Sequence, residues 1–204
     1  YPLRYFRQEN KGKGAARNRG IREARGDIIL LTDSDMYPDH NFIQAHIDAH
    51  VKYPGCAFEG RTFNLRSLDK GFRDLRNLLP YIQRRIKPFQ KLGFYYFLTG
   101  NLSIPKNTLE KYGAFDEAFS GYGWEDLELG YRLERAKFPL LFLPGAINFH
   151  LHDLAAQHAP EKKMAMGESA AYFLKKHPHL SLKYFLGANP IAMLVYRIIA
   201  GQPR

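Results

Sequence analysis

The sequence predicts an α/β fold with a parallel component, and three observations carry that prediction. A short β-branched run at residues 28–32 is followed by a helical pattern through Phe42, Ala45 and Ala49, and a second strand-like run covers residues 56–63. Strands separated by helices pair most readily as parallel neighbours joined by crossovers. The first of these strands ends on Asp33-Ser34-Asp35, and carboxylates at the C-terminal edge of a strand suggest a site.

Taken in order, the chain opens with a strand-like stretch at residues 3–6, which begins without a preceding element and implies that an N-terminal part lies upstream. A glycine-rich basic stretch at residues 10–20 runs into a helix expected to stop near Arg25-Gly26. Pro38 and Asp39 are expected to open the next helix. Residues 65–92 mix Arg66, Lys70, Arg73, Arg76, Arg84, Arg85, Lys87 and Lys91 with apolar residues and read as a solvated amphipathic face. A strand is expected at residues 94–98, leading into Thr99-Gly100-Asn101, with Asn107 capping a short helix that ends at Tyr112-Gly113. Leu129, Leu133 and Ala136 sit at helical spacing behind Glu125-Asp126, placing both carboxylates in a helix's first turn. Two short strands, residues 140–143 and 147–149, lead to His150 and His152, and residues 160–176 read as a helix before an apolar tail broken by Pro190.

A chain of 204 residues with 45% hydrophobic content can bury one core, and one compact unit is expected: a main domain over residues 1–159 with a helical extension over 160–204 packed on it. The single cysteine, Cys56, leaves no intrachain disulfide and no cysteine-based metal site, which fits a reducing, cytoplasmic compartment. The absence of a charged-then-apolar leader and of any run of about 18 apolar residues predicts a soluble or peripheral protein. Thirty Lys+Arg against twenty Asp+Glu give a net charge of +10, which favours anionic partners. No nucleic-acid reading module accompanies that charge, so phosphate-bearing substrates or anionic lipid are preferred to nucleic acid.

Asp33 and Asp35 offer hard oxygen ligands, one residue apart, to Mg2+ or Mn2+, as a reaction that expels a pyrophosphate needs. The same triplet would also serve to cap a turn. Asp126 is the candidate general base, held anionic by the helix N-terminus; Glu125 and Asp126 would equally complement the helix dipole with no chemical task. His150 and His152 follow a strand and fall on one face if it continues, so either could complete a metal site, with His150 preferred. In residues 10–20, Gly14 allows backbone to approach a diphosphate while Arg17 offers a fork of donors.

Taken together, these pieces resemble the family 2 glycosyltransferases of GT-A fold. Residues 10–20 look like that family's N-x-G-x-x-x-A-R-N-x-G element, and residues 26–35 look like the strand delivering its D-x-D motif. Thr99-Gly100-Asn101 resembles its acceptor-side glycine turn, and residues 112–117 its G-x-F-D-E segment. Residues 121–133 resemble its E-D motif, close also to the W-G-x-E-D version of galactosyl- and N-acetylgalactosaminyltransferases. The resemblance implies a mixed sheet flanked by helices, with the family's opening strand and nucleotide-base pocket upstream of Tyr1. It implies an inverting single displacement from a nucleotide-diphosphate sugar, UDP-linked, to a glycan or lipid-linked glycan. In that reading Asp33, Ser34 and Asp35 meet the donor, Asp33, Asp35 and His150 hold Mn2+ or Mg2+, Asp126 is the base, and Gly100 and Trp124 border sugar and acceptor. A non-catalytic carbohydrate-binding or scaffold module and a metal-dependent nucleotidyltransferase are the competing readings. The tail, with Phe185, Ile191, Leu194, Ile198 and Ile199 beside Lys183 and Arg197, reads as a docking helix or a membrane-surface contact.

Overall fold

A computed structural model of the chain describes residues 3–65, 85–119, 121–151 and 160–200. Five strands form one mixed sheet: β1 (Ile28–Leu31), β2 (Met36–Pro38), β3 (Ala57–Leu65), β4 (Leu102–Pro105) and β5 (Leu140–Leu151), in the order β1-β4-β3-β5-β2. The β3–β5 pair is parallel; β1–β4, β3–β4 and β2–β5 are antiparallel. Around the sheet lie α1 (Gly12–Glu23), α2 (Phe42–Lys52), α3 (Lys106–Tyr112), α4 (Glu125–Arg135), α5 (Pro160–Lys176), α6 (Leu180–Phe185) and α7 (Pro190–Ala200).

Alternation along the strands divides the interior into two layers. Ile29, Ala57, Leu140 and Phe142 face one cluster with Ile21 of α1, Leu109 of α3, and Leu129 and Leu133 of α4. Phe58 and Leu143, their neighbours in sequence, face the other cluster beneath Phe42 and Ala49 of α2. A third cluster, Phe119, Tyr131, Phe173 and Leu182, joins α4 to α5 and α6. That junction also holds a buried carboxylate: Glu128, fully enclosed, accepts hydrogen bonds from Arg132 Nε at 3.0 Å and His177 Nε2 at 2.8 Å, and pairs with Lys176 Nζ at 2.9 Å.

Several expected elements differ. Residues 3–6 pair with no strand; Arg4 instead donates to the Glu23 carbonyl and carboxylate, laying the segment along α1, with Leu3 and Tyr5 exposed. The basic glycine stretch is itself helical, because α1 starts at Gly12, whose φ of 88° only glycine adopts freely. Pro38 ends β2, and α2 begins at Phe42. The expected strand at 94–98 is a 3-10 turn, Phe94–Tyr96, closed by the Tyr96 N–H to Gly93 O and Phe97 N–H to Phe94 O bonds. Phe94 stands edge-on to Tyr131 of α4, so its aromatic run is spent on packing rather than on a ladder. Pro105, not Asn107, precedes α3, while Gly113 ends it at φ 81°. The two short strands at 140–143 and 147–149 are one strand, whose register against β3 jumps from Leu143↔Gly60 to Ile147↔Arg61. Pro144 sits in that jump, where a residue lacking an N–H costs no ladder bond. Of the basic stretch at 65–92, residues 66–84 lie outside the described residues, as does His152.

Candidate active site

The C-terminal ends of β1 and β3, the turn before β4 and the start of α4 enclose a cleft of about 390 Å³, lined by Arg17, Asp33, Glu59, Gly100, Glu125, Asp126 and His150 among others. α1 turns its small and polar side inward. Asn18 donates to Phe115 O at 2.8 Å and accepts from the Phe115 N–H at 2.9 Å, a backbone-like clamp that fixes the rotation of the helix. With that face pinned, Arg17 is aimed into the cleft. Its Nη1 donates to Glu125 Oε1 at 2.7 Å and its Nη2 to Asp33 Oδ1 at 3.1 Å. One guanidinium therefore ties the end of β1 to the start of α4, and both its terminal nitrogens already hold carboxylates.

α4 begins after two residues with left-handed backbone, Gly123 at φ 83° and Trp124 at φ 74°. For a bulky side chain such as Trp this conformation costs on the order of 1–2 kcal/mol. It turns the chain so that Glu125 is buried beneath Arg17 while half-buried Asp126 lines the cleft. The Asp126 carboxyl accepts the Leu127 N–H at 2.8 Å, yet its pKa is pushed up to about 6, first by burial and next by the charge of Glu125; the Leu127 N–H and Arg17 offset this in part. The helix N-terminus does not dominate, contrary to the expectation from position alone. Asp126 is ionised at pH 7 and is a better base than an exposed aspartate.

The aspartate triplet lies in the turn between β1 and β2, closed by the Met36 N–H to Asp33 O bond at 3.2 Å. The β2–β5 register sets Met36 opposite His150, which brings Asp35 Oδ2 to 3.3 Å from His150 Nε2. His150 Nδ1 lies 3.2 Å from Asn64 Oδ1. A cation held there would take a lone pair from Nε2 with Nδ1–H donated to Asn64, and two neighbouring ligands of an octahedral ion with bonds of about 2.1 Å stand about 3 Å apart. Asp35 and His150 thus suit a divalent cation in donor type and spacing. Among the described residues no group of three such ligands is assembled, since Asp33 is turned to Arg17.

The other expected site residues divide. Gly100 floors the cleft; its carbonyl accepts from Asn148 Nδ2 at 2.7 Å, and a Cβ there would meet Met36 Cε at 2.5 Å. Gly14 is buried, where a Cβ would stand 3.4 Å from Phe115 and Asp116, and serves helix packing outside the cleft. Ser34 is exposed and does not line the cleft. Trp124 turns away from it, donating from Nε1 to Met166 O of α5 at 2.9 Å.

Sequence reasoning passed over Glu59, which lines the cleft from the middle of β3 and is 3% exposed. Burial drives its pKa well above the ordinary carboxylate range, against the Leu98 N–H bond at 3.2 Å and with a contribution from the charge of Asp126. A charged residue inside the apolar run of residues 56–63 was the available signal.

The Glycosyl transferase family 2 model matches residues 1–115. The chain belongs to that family. Hyaluronan synthase of Pasteurella multocida is 25% identical over 213 residues, covering 89% of this chain and 22% of that protein. Validoxylamine A glucosyltransferase of Streptomyces hygroscopicus subsp. jinggangensis is 26% identical over 210 residues, covering 90% of this chain and 49% of that protein. The chain thus spans from about a fifth to about half the length of these relatives. The mannosyltransferase PcManGT of Pyrobaculum calidifontis, solved with GDP-Man and Mn2+, superposes with a TM-score of 0.57 at 17% identity over 96% of this chain and 56% of its own. GalNAc-T7, solved with UDP, GalNAc and Mn2+, gives 0.55 at 16% over 84% of this chain and 38% of its own. The mixed sheet flanked by helices is the GT-A glycosyltransferase fold.

The protonated state of Glu59 has a measurable sign. The folded protein holds this proton where the unfolded chain releases it near pH 4.3, so the stability present below that pH is lost as pH rises toward the folded pKa. Glu59→Gln retains an acceptor for the Leu98 N–H and does not ionise. In urea unfolding series its stability relative to the parent should rise as pH is raised above the unfolded value of about 4.3. A difference that stays constant with pH would overturn the assignment.

Proposed function

We propose that this glycosyltransferase moves a hexosyl group from a nucleotide-diphosphate sugar, UDP-linked, to a hydroxyl of a glycan or lipid-linked glycan, with inversion and with Mn2+ or Mg2+, in the manner of polysaccharide-building enzymes. The observation that carries this reading is Asp126, a carboxylate raised to about 6 in a cleft that Asp33 and His150 also line, with Asp35 Oδ2 3.3 Å from His150 Nε2. A base poised there takes the proton of the acceptor hydroxyl as its oxygen attacks the anomeric carbon. The bond from that carbon to the diphosphate oxygen breaks on the far side, and the diphosphate leaves with the electron pair. Asp35 and His150 would hold the cation, with Asp33 beside them; when bound, it neutralises the charge growing on the departing diphosphate. Arg17 fixes the spacing of Asp33 and Glu125 and so the width of the cleft. A non-catalytic module of the same fold has no use for an aspartate raised in pKa over an open cleft, and a nucleotidyltransferase, whose attacking phosphate is already ionised, needs no such base.

For the acceptor side, α7 carries Ile191, Leu194, Val195 and Ile198 at i, i+3, i+4 and i+7, all between 48% and 68% exposed. Residues 169–204 contain no Asp or Glu, while Lys175, Lys183, Arg197 and Arg204 are cationic. An apolar stripe in an acid-free, cationic tail fits an anionic lipid surface, where a lipid-linked acceptor would be presented. No described helix is long and apolar enough to cross a membrane.

Asp126→Asn should lower turnover by about 10²- to 10⁴-fold with donor binding nearly unchanged, because a base acts in the transition state. In the parent, kcat/KM should rise with pH through a break near 6, and Glu125→Gln, by removing the charge that helps raise Asp126, should move the break to lower pH. Near-normal transfer by Asp126→Asn would reassign the base.

Calorimetric titration should show UDP binding that requires Mn2+ and weakens at least about tenfold in Asp35→Ala. Binding of GDP in place of UDP would change the donor base, and binding of neither would remove the donor reading.

In flotation, the intact protein should rise with phosphatidylglycerol vesicles in a salt-sensitive manner, and Leu194→Asp/Ile198→Asp should abolish it. Absence of flotation, or flotation equal in the double variant, would sink the lipid contact.

A further inference from the structure

Beneath the Gly100 turn, α2 sends two histidines into the sheet. His46 is 2% exposed and His50 8%, and both meet the fully buried Ser103 of β4. His46 Nδ1 lies 2.8 Å from Ser103 Oγ, His50 Nε2 lies 2.9 Å from the same oxygen, and His46 Nε2 lies 3.0 Å from Asn101 Oδ1. Asn101, also fully buried, donates from Nδ2 to Arg61 O at 3.2 Å and to Ala146 O at 3.0 Å.

Those two carbonyls fix the direction of every proton in the chain. Carbonyls only accept, so the Asn101 amide nitrogen faces them and its oxygen faces His46. His46 therefore donates from Nε2 and, being neutral, accepts at Nδ1; Ser103 gives it the hydroxyl proton and accepts in turn from His50 Nε2–H. The remaining atom, His50 Nδ1, is a buried nitrogen with no hydrogen-bond partner among the described residues, as the bare lone pair at the end of a one-way chain must be. Protonating either ring would set a donor against a donor or place a charge where no described group accepts its proton. Burial accordingly pulls both histidines down to about 4, with Asn101 opposing the shift at His46 and the His46 charge adding to it at His50.

The chain ends at the cleft. Asn101 O accepts the Gly60 N–H at 2.8 Å, and the approach is so close that a Cβ on Gly60 would lie 2.1 Å from Asn101 Oδ1. Asn101 thereby binds the turn carrying Thr99 and Gly100 to the point where β5 jumps register against β3. The two carbonyls decide which way the Asn101 amide faces, and the chain from His50 through Ser103 to His46 supplies the donor that holds its oxygen; an apolar side chain in place of His46 would fill the space but remove that donor. We infer that His46 is a positioning residue: with His50 and Ser103 it sets the Asn101 side chain and so holds the Thr99–Gly100 floor of the transfer site in place. The inference rests on the transferase reading for its kinetic consequence and on no part of it for its geometry.

The test therefore has two arms. In 15N NMR of the intact protein at pH 7, both histidines should be neutral Nε2–H tautomers, and His46→Leu should shift the Asn101 side-chain amide and speed its hydrogen exchange at least about tenfold, whatever the protein's activity. In transfer assays, His46→Leu should lower kcat by about 10- to 100-fold with UDP affinity within about twofold of the parent, and His46→Gln, which can still donate to Asn101, should recover much of the loss. Circular dichroism at the assay temperature confirms that the variants are folded, and Ile47→Ala, at an exposed position of the same helix, should behave as the parent. An Nδ1–H tautomer at His46, or an unchanged Asn101 amide in His46→Leu, overturns the positioning role. An unchanged kcat in a folded His46→Leu overturns its bearing on transfer, and a parent without transfer but with the expected NMR result removes the transferase reading alone.

Discussion

The structure depends on the parallel pairing of β3 with β5, which runs from Ala57↔Leu140 to Leu65↔Leu151 and is interrupted once, at Gly60/Arg61. A parallel pair is buried on both faces, and this one carries Phe58, Phe142 and Leu143 into two separate apolar layers, each fully buried side chain contributing about 1.5–3 kcal/mol. Beyond the interruption the same pair buries a smaller apolar cluster, Phe63 stacked on Phe149, and delivers polar groups from its other face. Thr62 donates to Asn148 at 2.7 Å, Asn64 meets His150, and β2 joins the far side of β5 with Asp35 in tow. The jump in register falls just past Glu59, which lines the cleft, and Asn101 is packed against Gly60 there.

Within the cleft the electrostatics run against the protein as a whole. A chain of net charge +10 lines its cleft with Asp33, Glu59, Glu125 and Asp126, against Lys13 and Arg17 among the described residues. The four are treated unequally: Arg17 pairs with Asp33 and Glu125, while burial pushes Glu59 well above the ordinary carboxylate range and Asp126 up to about 6.

Much of this was legible in the sequence. The strand ending on Asp33 and the helices behind Phe42, Glu125 and Pro160 stand where their apolar spacing puts them, because each buries one strong stripe or run. Asp33, Gly100, Glu125, Asp126 and Arg17 converge on one cleft. Orientation was not legible. Gly14 and Arg17 share a face of α1, yet Gly14 is used up in packing against Phe115 and Asp116 while the longer Arg17 side chain reaches the cleft, and Trp124 points away because of a left-handed backbone that no spacing rule foresees. The aromatic run at 94–98 has strand composition but packs edge-on against α4, so tertiary contact overrides propensity. Glu59, His46 and His50 escaped notice because a polar residue among apolar ones reads as alternation until its neighbours across the sheet are known.

The carboxylate of Glu128 lies two residues past Asp126 and is satisfied by Lys176 and His177 at the far end of α5, the latter 49 positions along the chain, while Asp116 takes the Tyr172 hydroxyl at 2.9 Å. Anyone recombining this family's modules would be tempted to cut at residue 159, where the helical extension starts. The buried charge makes that cut a poor one: Glu128 would be left with Arg132 and parted from Lys176 and His177. A seam beyond Gly187, which follows α6 at φ 70°, leaves the brace whole and is where a graft would be tolerated.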